Sequence, residues 1–291
     1  MARVLNCIDW IKTKFKRSKV CTLLPKIKVM NKKESRRNFI GLSAMGLGGL
    51  VFSAPAASGK KINTLTIPDD PLKKLNIICA GAHPGDPEFG CGGTMAKFSK
   101  AGHKVTFLYL TRGEAGDPNK TYAESAALRT KEAEVACSAL HVTPRFAGQI
   151  DGNTVLSNEK NAEMMKIIVS EKPDVVFTQW PVDTHPDHQV TGLVILNAWT
   201  KMNKQFDLYF YEVNSGSETM AFVPTDYADI TDVRELKKIA MYAHKIQDPV
   251  NTYNSFFQQM EDFRGLEAGV KAAEAFIHFK TKAARANILN P

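Results

Sequence analysis

From about residue 75 the chain alternates short β-rich runs with amphipathic helical stretches, and this alternation restricts the fold more than any other feature of its 291 residues. Strand-like runs at 75–80, 104–110, 174–178 and 206–213 are interleaved with helical stretches at 92–101, 124–140, 161–171, 189–200, 232–245 and 253–266. A strand joined through a helix to the next strand builds a parallel sheet with helices on its faces. The fold class expected is therefore α/β, a Rossmann-like three-layer sandwich with a mostly parallel sheet. Within 124–140, Ala127, Leu128, Val135 and Leu140 sit near helical spacing, while Arg129, Lys131, Glu132 and Glu134 fall largely on another face. A 44% share of hydrophobic residues is ample for one large core.

Residues 1–57 differ in kind. They carry 12 Lys and Arg against Asp9 and Glu34, so the formal charge of +8 belongs to them, and residues 58–291 hold 26 basic and 28 acidic side chains. The basic balance therefore gives no reason to expect a nucleic-acid partner. From Met30 the chain reads as an export signal: Lys32 and Lys33, then Ser35-Arg36-Arg37-Asn38-Phe39-Ile40, an apolar run to Ala54, and small residues for cleavage at Ala54-Pro55-Ala56. It resembles a twin-arginine signal, an address read by the export machinery. The run 39–54 is 16 residues long with four glycines, short of the roughly 20 apolar residues of a membrane span. The expected organisation is a mis-assigned or extended N-terminus at 1–29, a signal peptide at 30–57, a polar linker at 58–72 and one catalytic domain at 73–291. The mature protein is expected in the periplasm or outside the cell, with no stable membrane span. Cys79, Cys91 and Cys137 show no CxxC spacing and are odd in number, so no disulfide framework is indicated.

Two short motifs carry the chemistry. The first, Ala82-His83-Pro84-Gly85-Asp86-Pro87-Glu88-Phe89-Gly90-Cys91-Gly92-Gly93, falls where the first strand ends and a helix is about to begin. The second, Asp183-Thr184-His185-Pro186-Asp187-His188, follows the strand at 174–178. In an open α/β sheet, ligands bind beyond the carboxyl ends of strands, so both motifs are aimed at one edge. His83, Asp86 and His188 together make two imidazoles and a carboxylate with a coordination position left open, the donor set of a catalytic zinc ion, which Fe(II) also accepts. A dinucleotide site is not indicated, because Gly90, Gly92 and Gly93 do not follow the GxGxxG spacing.

These motifs resemble those of the PIG-L/LmbE family of zinc-dependent N-acetylglucosaminyl de-N-acetylases. The family's AHPDDE and distant HxDH read here as Ala82-His83-Pro84-Gly85-Asp86-Pro87 and His185-Pro186-Asp187-His188. The resemblance runs from about Leu75 to about Phe279 and takes in Gly90-Cys91-Gly92-Gly93-Thr94, the loop from Thr111 to Gly116, Arg129, Glu132 and Asp151-Gly152. It implies zinc on His83, Asp86 and His188, an oxyanion-stabilising or proton-donating His185, and an Asp187 that orients a histidine. Arg112, Arg129 and Asp151 are expected to bind substrate. Two departures stand out: the family's general-base aspartate is Gly85 here, and its glutamate is Pro87. Glu88, Glu114 or Asp187 could take over the base, with Glu114 in the loop after the next strand. Trp180 either stacks on a sugar or packs, His244 is expected to cap a helix, and His103, His141 and His278 are expected to be structural.

The activity expected is metal-dependent hydrolysis of an N-acetyl group from an amino sugar or glycoconjugate. The alternatives are a related metal-dependent amidase and, from the loss at Gly85, a glycan-binding protein that keeps the fold without the chemistry.

Overall fold

The computed structural model describes residues 63–64 and 74–280. The expected N-terminus at 1–29 and signal at 30–57 lie outside the described residues. Within the expected linker, Asn63–Thr64 (β1) pairs in parallel with Asp226–Asp229 (β7).

The remaining elements are β2 (Asn76–Gly81), α1 (Asp86–Lys100), β3 (Lys104–Tyr109), α2 (Tyr122–Leu140), β4 (Thr143–Phe146), α3 (Asn158–Glu171) and β5 (Val175–Gln179). They continue with α4 (Pro186–Lys201), β6 (Asp207–Tyr211), α5 (Arg234–Met241), α6 (Pro249–Thr252), α7 (Gln258–Ala268) and β8 (Ala273–His278). A π-helical stretch, Tyr253–Phe257, joins α6 to α7. One sheet runs in the order β1-β7-β8-β6-β5-β2-β3-β4. All its pairings are parallel except those of β8, which is antiparallel to β6 and β7.

The sheet alternates its side chains between two cores. Ile77, Cys79, Val105, Phe107 and Phe177 face one cluster, closed by Met95, Phe98, Ala133, Ala136 and Met241 of the helices α1, α2 and α5. Ile78, Ala80, Leu108, Val176, Leu208 and Phe210 face the other, closed by Met164, Ile168, Val194, Ile195 and Trp199 of α3 and α4. Burial on both faces explains why the central strands are nearly unbroken apolar runs. The three-layer α/β expectation is met.

Local chemistry sets the helix starts. Thr121 and Glu124 cap α2 reciprocally, with the Glu124 N–H on Thr121 Oγ1 at 3.3 Å and the Thr121 N–H on Glu124 Oε2 at 2.8 Å. The helix expected to begin near residue 92 starts at Asp86 instead. Its glycines serve packing: a Cβ at Gly90 would lie 2.4 Å from the Tyr211 ring, and one at Gly93 2.6 Å from Ile230. That close approach keeps α1 against the sheet and brings its N-terminus to the strand ends.

Chain order reverses between β2 and β5. From β2 the chain builds outward through β3 and β4, then returns to place β5 on the other side of β2 and β6 beyond it. The crevice at such a reversal, beyond the carboxyl ends of the two strands, is the usual ligand site of open α/β sheets. The first motif follows β2 and the second follows β5.

Candidate active site

The two motif loops meet in a cleft of about 510 Å³ lined by His83, Asp86, Arg129, Asp151, His185, His188, Glu218 and Gln247 among others. That volume suits a small ligand. His83, Asp86 and His188 are buried, and each offers an atom within 4.8 Å of the others'.

Carboxylates close to the ring nitrogens indicate which atoms these are. His83 Nε2 lies 3.1 Å from both Asp187 Oδ2 and Asp151 Oδ1, while its Nδ1 lies 3.3 Å from Asp86 Oδ2. With its Nε2 proton held by carboxylates, His83 keeps a lone pair at Nδ1. His188 is arranged in mirror sense: Nδ1 sits 3.2 Å from Asp183 Oδ1, and Nε2 3.5 Å from Asp86 Oδ2. A carboxylate on the far nitrogen of a ligating histidine fixes its tautomer and raises its basicity. Asp86 is itself fixed, its Oδ2 accepting from the His83 N–H at 2.8 Å and from Gln179 Nε2 at 3.1 Å.

Four carboxylates therefore surround two buried imidazoles. Burial opposes charge on His83, but Asp86, Asp151 and Asp187 outweigh it and hold its pKa well above the ordinary histidine value. Burial likewise opposes charge on His188, and Asp86 and Asp183 raise it. Burial opposes charge on Asp86, and His188 and His83 hold it far below the usual carboxylate range. This excess of negative charge, around two imidazoles and a carboxylate that converge within 4.8 Å, fits a divalent cation. A second grouping, His83, His185 and Asp187, also converges within 4.8 Å. There, however, Asp187 is committed to the Gly152 N–H at 2.8 Å, the Thr154 hydroxyl at 2.6 Å and His83, so it braces His83.

His185 caps α4. Its Nδ1 accepts the Asp187 N–H at 3.2 Å, which leaves the proton of the neutral ring on Nε2. Its ring stacks on His188 with centroids 4.6 Å apart. Burial, then the neighbouring His83 and His188, lower its pKa below the ordinary value. A neutral ring donating from Nε2 is suited to a carbonyl oxygen that gains charge.

The other expected site residues divide. Arg129 is buried at the cleft and donates to the Pro84 carbonyl at 2.7 Å, and Asp151 lines the cleft beside His83. Arg112 is exposed and outside the cleft lining, with its guanidinium 5.1 Å from the centre of the Phe146 ring. Glu114 is also outside the lining, and its Oε2 accepts the N–H groups of Arg112 and Asp151, so it holds up the Asp151 loop. Glu88 is fully buried behind the site, accepting from Tyr109 Oη at 2.7 Å and the Gly85 N–H at 3.2 Å. His244 stands at the N-cap of the 3-10 turn Lys245–Gln247 but makes no side-chain cap bond; its Nε2 lies 2.9 Å from Glu88 Oε1. Trp180 packs edge-on against Phe210 and Phe222.

Gly85 is explained by its backbone. Its φ of +112° is strained for any L side chain, and a Cβ there would lie 2.8 Å from Gln247 Oε1. The Gln247 amide occupies that space and donates to the Pro84 carbonyl at 2.9 Å. Sequence reasoning missed Gln247 and Glu218, which come from loops with no motif of their own.

Residues 78–199 match the family described as PIG-L: GlcNAc-PI de-N-acetylase. The chain is 26% identical over 200 residues to the diacetylchitobiose deacetylase of Thermococcus kodakarensis, covering 64% of this chain and 74% of that one. It is 28% identical over 216 residues to the 1D-myo-inositol 2-acetamido-2-deoxy-alpha-D-glucopyranoside deacetylase of Actinosynnema mirum, covering 64% of this chain and 70% of that one. Among solved structures, the N,N'-diacetylchitobiose deacetylase of Pyrococcus horikoshii superposes with a TM-score of 0.63 at 28% identity, over 72% of this chain and 85% of that one.

Proposed function

We propose, on the premise of the match of residues 78–199 to the PIG-L family, that this chain is a metal-dependent de-N-acetylase releasing acetate from an N-acetylated amino sugar or a glycoconjugate that carries one. The observation that carries this reading is the convergence of His83, Asp86 and His188, each imidazole with a carboxylate on its far nitrogen, beside a His185 that accepts a backbone N–H through Nδ1. The relatives named above are deacetylases of acetamido sugars, which agrees with a cleft of this size and polarity.

Zinc is the metal we assign, and the same donors suit Fe(II). A dication held there would acidify a water molecule and polarise the amide carbonyl. The chain's own residues do the rest. Asp187 and Asp183 keep the His83 and His188 rings turned so that Nδ1 and Nε2, respectively, face inward. His185 donates a hydrogen bond from Nε2 to the carbonyl oxygen as the carbon becomes tetrahedral, and stabilises the charge there while keeping its proton. Arg129 and Asp151 offer a donor and an acceptor to the sugar's polar groups.

We also propose that the chain works in the periplasm or outside the cell, on the strength of Arg36 and Arg37 and the apolar run behind them. Among the described residues no helix is long and apolar enough to cross a membrane.

The test is acetate release by purified, zinc-loaded protein from a panel of N-acetylglucosamine oligomers and N-acetylated glycoconjugates. Turnover supports the enzyme; silence across the panel with zinc bound would favour the glycan-binding reading that Gly85 raises.

A further inference from the structure

Hydrolysis of an amide at this site needs a proton acceptor for the attacking water, and Gly85 has no side chain to provide one. Three carboxylates line the cleft: Asp86, Asp151 and Glu218. Asp86 belongs to the metal-binding set and already accepts from the His83 N–H and Gln179. Asp151 is turned onto His83 through Oδ1 and holds the Ala115 N–H at 3.1 Å through Oδ2. Asp187 and Asp183, behind the rings, are spent on bracing them. Glu218 differs from all of these, because among the described residues no donor bonds to its carboxylate.

Its backbone, in contrast, is firmly held. The loop after β6 is sewn to the second motif: the Thr184 N–H donates to the Glu218 carbonyl at 2.9 Å, the Met220 N–H to the Val182 carbonyl at 2.9 Å, and the Thr219 hydroxyl to Asp183 Oδ2 at 2.9 Å. The Glu218 N–H closes the loop on the Asn214 carbonyl at 3.0 Å. A side chain with free oxygens on a fixed backbone, lining the same cleft as His83, Asp86 and His188, is what a general base requires.

We propose that Glu218 is the general base of this enzyme, standing in for the acid absent at position 85. The inference rests on the deacetylase reading. In the first step the water oxygen bonds to the carbonyl carbon, the carbonyl π pair moves onto its oxygen beside His185, and one water proton passes to Glu218. In the second the oxygen's electron pair re-forms the carbonyl, the carbon–nitrogen bond breaks with its electron pair staying on nitrogen, and Glu218 returns the proton there. Acetic acid and the amine leave, the acid passes its remaining proton to the amine so that acetate and an ammonium group result, and the Glu218 carboxylate is restored. Burial makes the Glu218 carboxyl harder to ionise, His188 and His83 pull the other way, and Asp86 and Asp183 add to the rise. Burial thus acts in the direction that favours taking up a proton.

The test compares wild type with Glu218→Gln, both zinc-loaded, by kcat, pH profile, metal stoichiometry and melting temperature. Glu218→Gln should keep one zinc and its fold while kcat falls about 10²–10⁴-fold, as expected for loss of a positioned base. The acidic limb of the wild-type pH profile should disappear. Should the amide disturb folding, Glu218→Ala with added formate serves instead, and recovery of rate by the small carboxylate is expected. Wild-type turnover retained within a few-fold in Glu218→Gln would overturn the base assignment and leave the deacetylase intact. Loss of zinc from Glu218→Gln would make the residue a ligand and also overturn it. Absence of turnover in wild type would bring down the deacetylase reading, and this inference with it.

Discussion

Replacing Gly85 with aspartate restores the family's acid on paper, and the geometry says it should fail. The position has φ of +112° and ψ of −38°, and holding an L residue in so sparsely populated a region costs about 1–3 kcal/mol. The new Cβ would lie 2.8 Å from Gln247 Oε1, so the glutamine must leave. Its hydrogen bond to the Pro84 carbonyl goes with it, a loss of about 0.5–1.5 kcal/mol. Together these give a destabilisation of roughly 2–4 kcal/mol, which for a domain of this size lowers the melting temperature by roughly 5–15 °C. The new carboxylate would also stand next in sequence to Asp86, adding charge of the same sign. Thermal unfolding of Gly85→Asp, Gln247→Ala and the double variant measures each part. The two substitutions should be non-additive, because Gln247→Ala removes the obstruction while the backbone strain remains. A Gly85→Asp protein that melts with wild type and releases acetate faster would refute both the strain argument and the relocation of the base.

Three further outcomes follow from the site. His83→Ala, Asp86→Ala and His188→Ala should each sharply lower zinc affinity, measured by competition with a chromophoric chelator, whereas His185→Ala should retain the metal; unchanged affinity in all three would show the donor set is misread. A fusion of residues 30–60 to a reporter should reach the periplasm, and changing Arg36 and Arg37 to Lys should block it; an intact fusion kept in the cytoplasm would end the export proposal. Asp86, Asp183 and Asp187 ionise below the usual carboxylate range, because histidines and hydrogen-bond donors outweigh burial. Each therefore stabilises the fold fully above the unfolded carboxylate pKa of about 4 and surrenders that as pH falls towards its folded value. Metal-free protein followed by circular dichroism should lose stability progressively below about pH 4, and a flat stability down to pH 2 would contradict the assignment.

The parts of the fold legible in the sequence are those where burial on both faces leaves no room for polar residues. Asn-Ile-Ile-Cys-Ala-Gly of β2, Lys-Val-Thr-Phe-Leu-Tyr of β3 and Asp-Leu-Tyr-Phe-Tyr of β6 read as strands directly. Thr-Pro-Arg-Phe of β4 and Asp-Tyr-Ala-Asp of β7 are too short and too polar to signal a strand, and only their neighbours in the sheet make them one. β8 escaped because an antiparallel return breaks the strand–helix alternation on which the reading rests. The candidate metal group His83, Asp86 and His188 was legible because each motif is local, with spacing that survives without knowledge of the fold. Arg112 and Glu114 share a loop that does reach the site, but their side chains turn to Phe146 and to backbone amides. Gln247 and Glu218 could not be found by spacing at all, since tertiary packing alone brings their loops to the cleft.

The direct pairing of β2 with β5 has a kinetic consequence. Ile77 sits opposite Val175, and the Asn76 N–H reaches the Asp174 carboxylate across 98 residues of sequence. Everything that makes His188 a neighbour of His83 waits on closing that loop, whereas β2 can find β3 across one intervening helix. Contacts of such long range form late and slow the folding rate. A bound ion thus has nothing to hold in the early chain. Zinc should leave the refolding rate of the chain almost unchanged and slow its unfolding, so that the metal acts as a latch on a finished sheet.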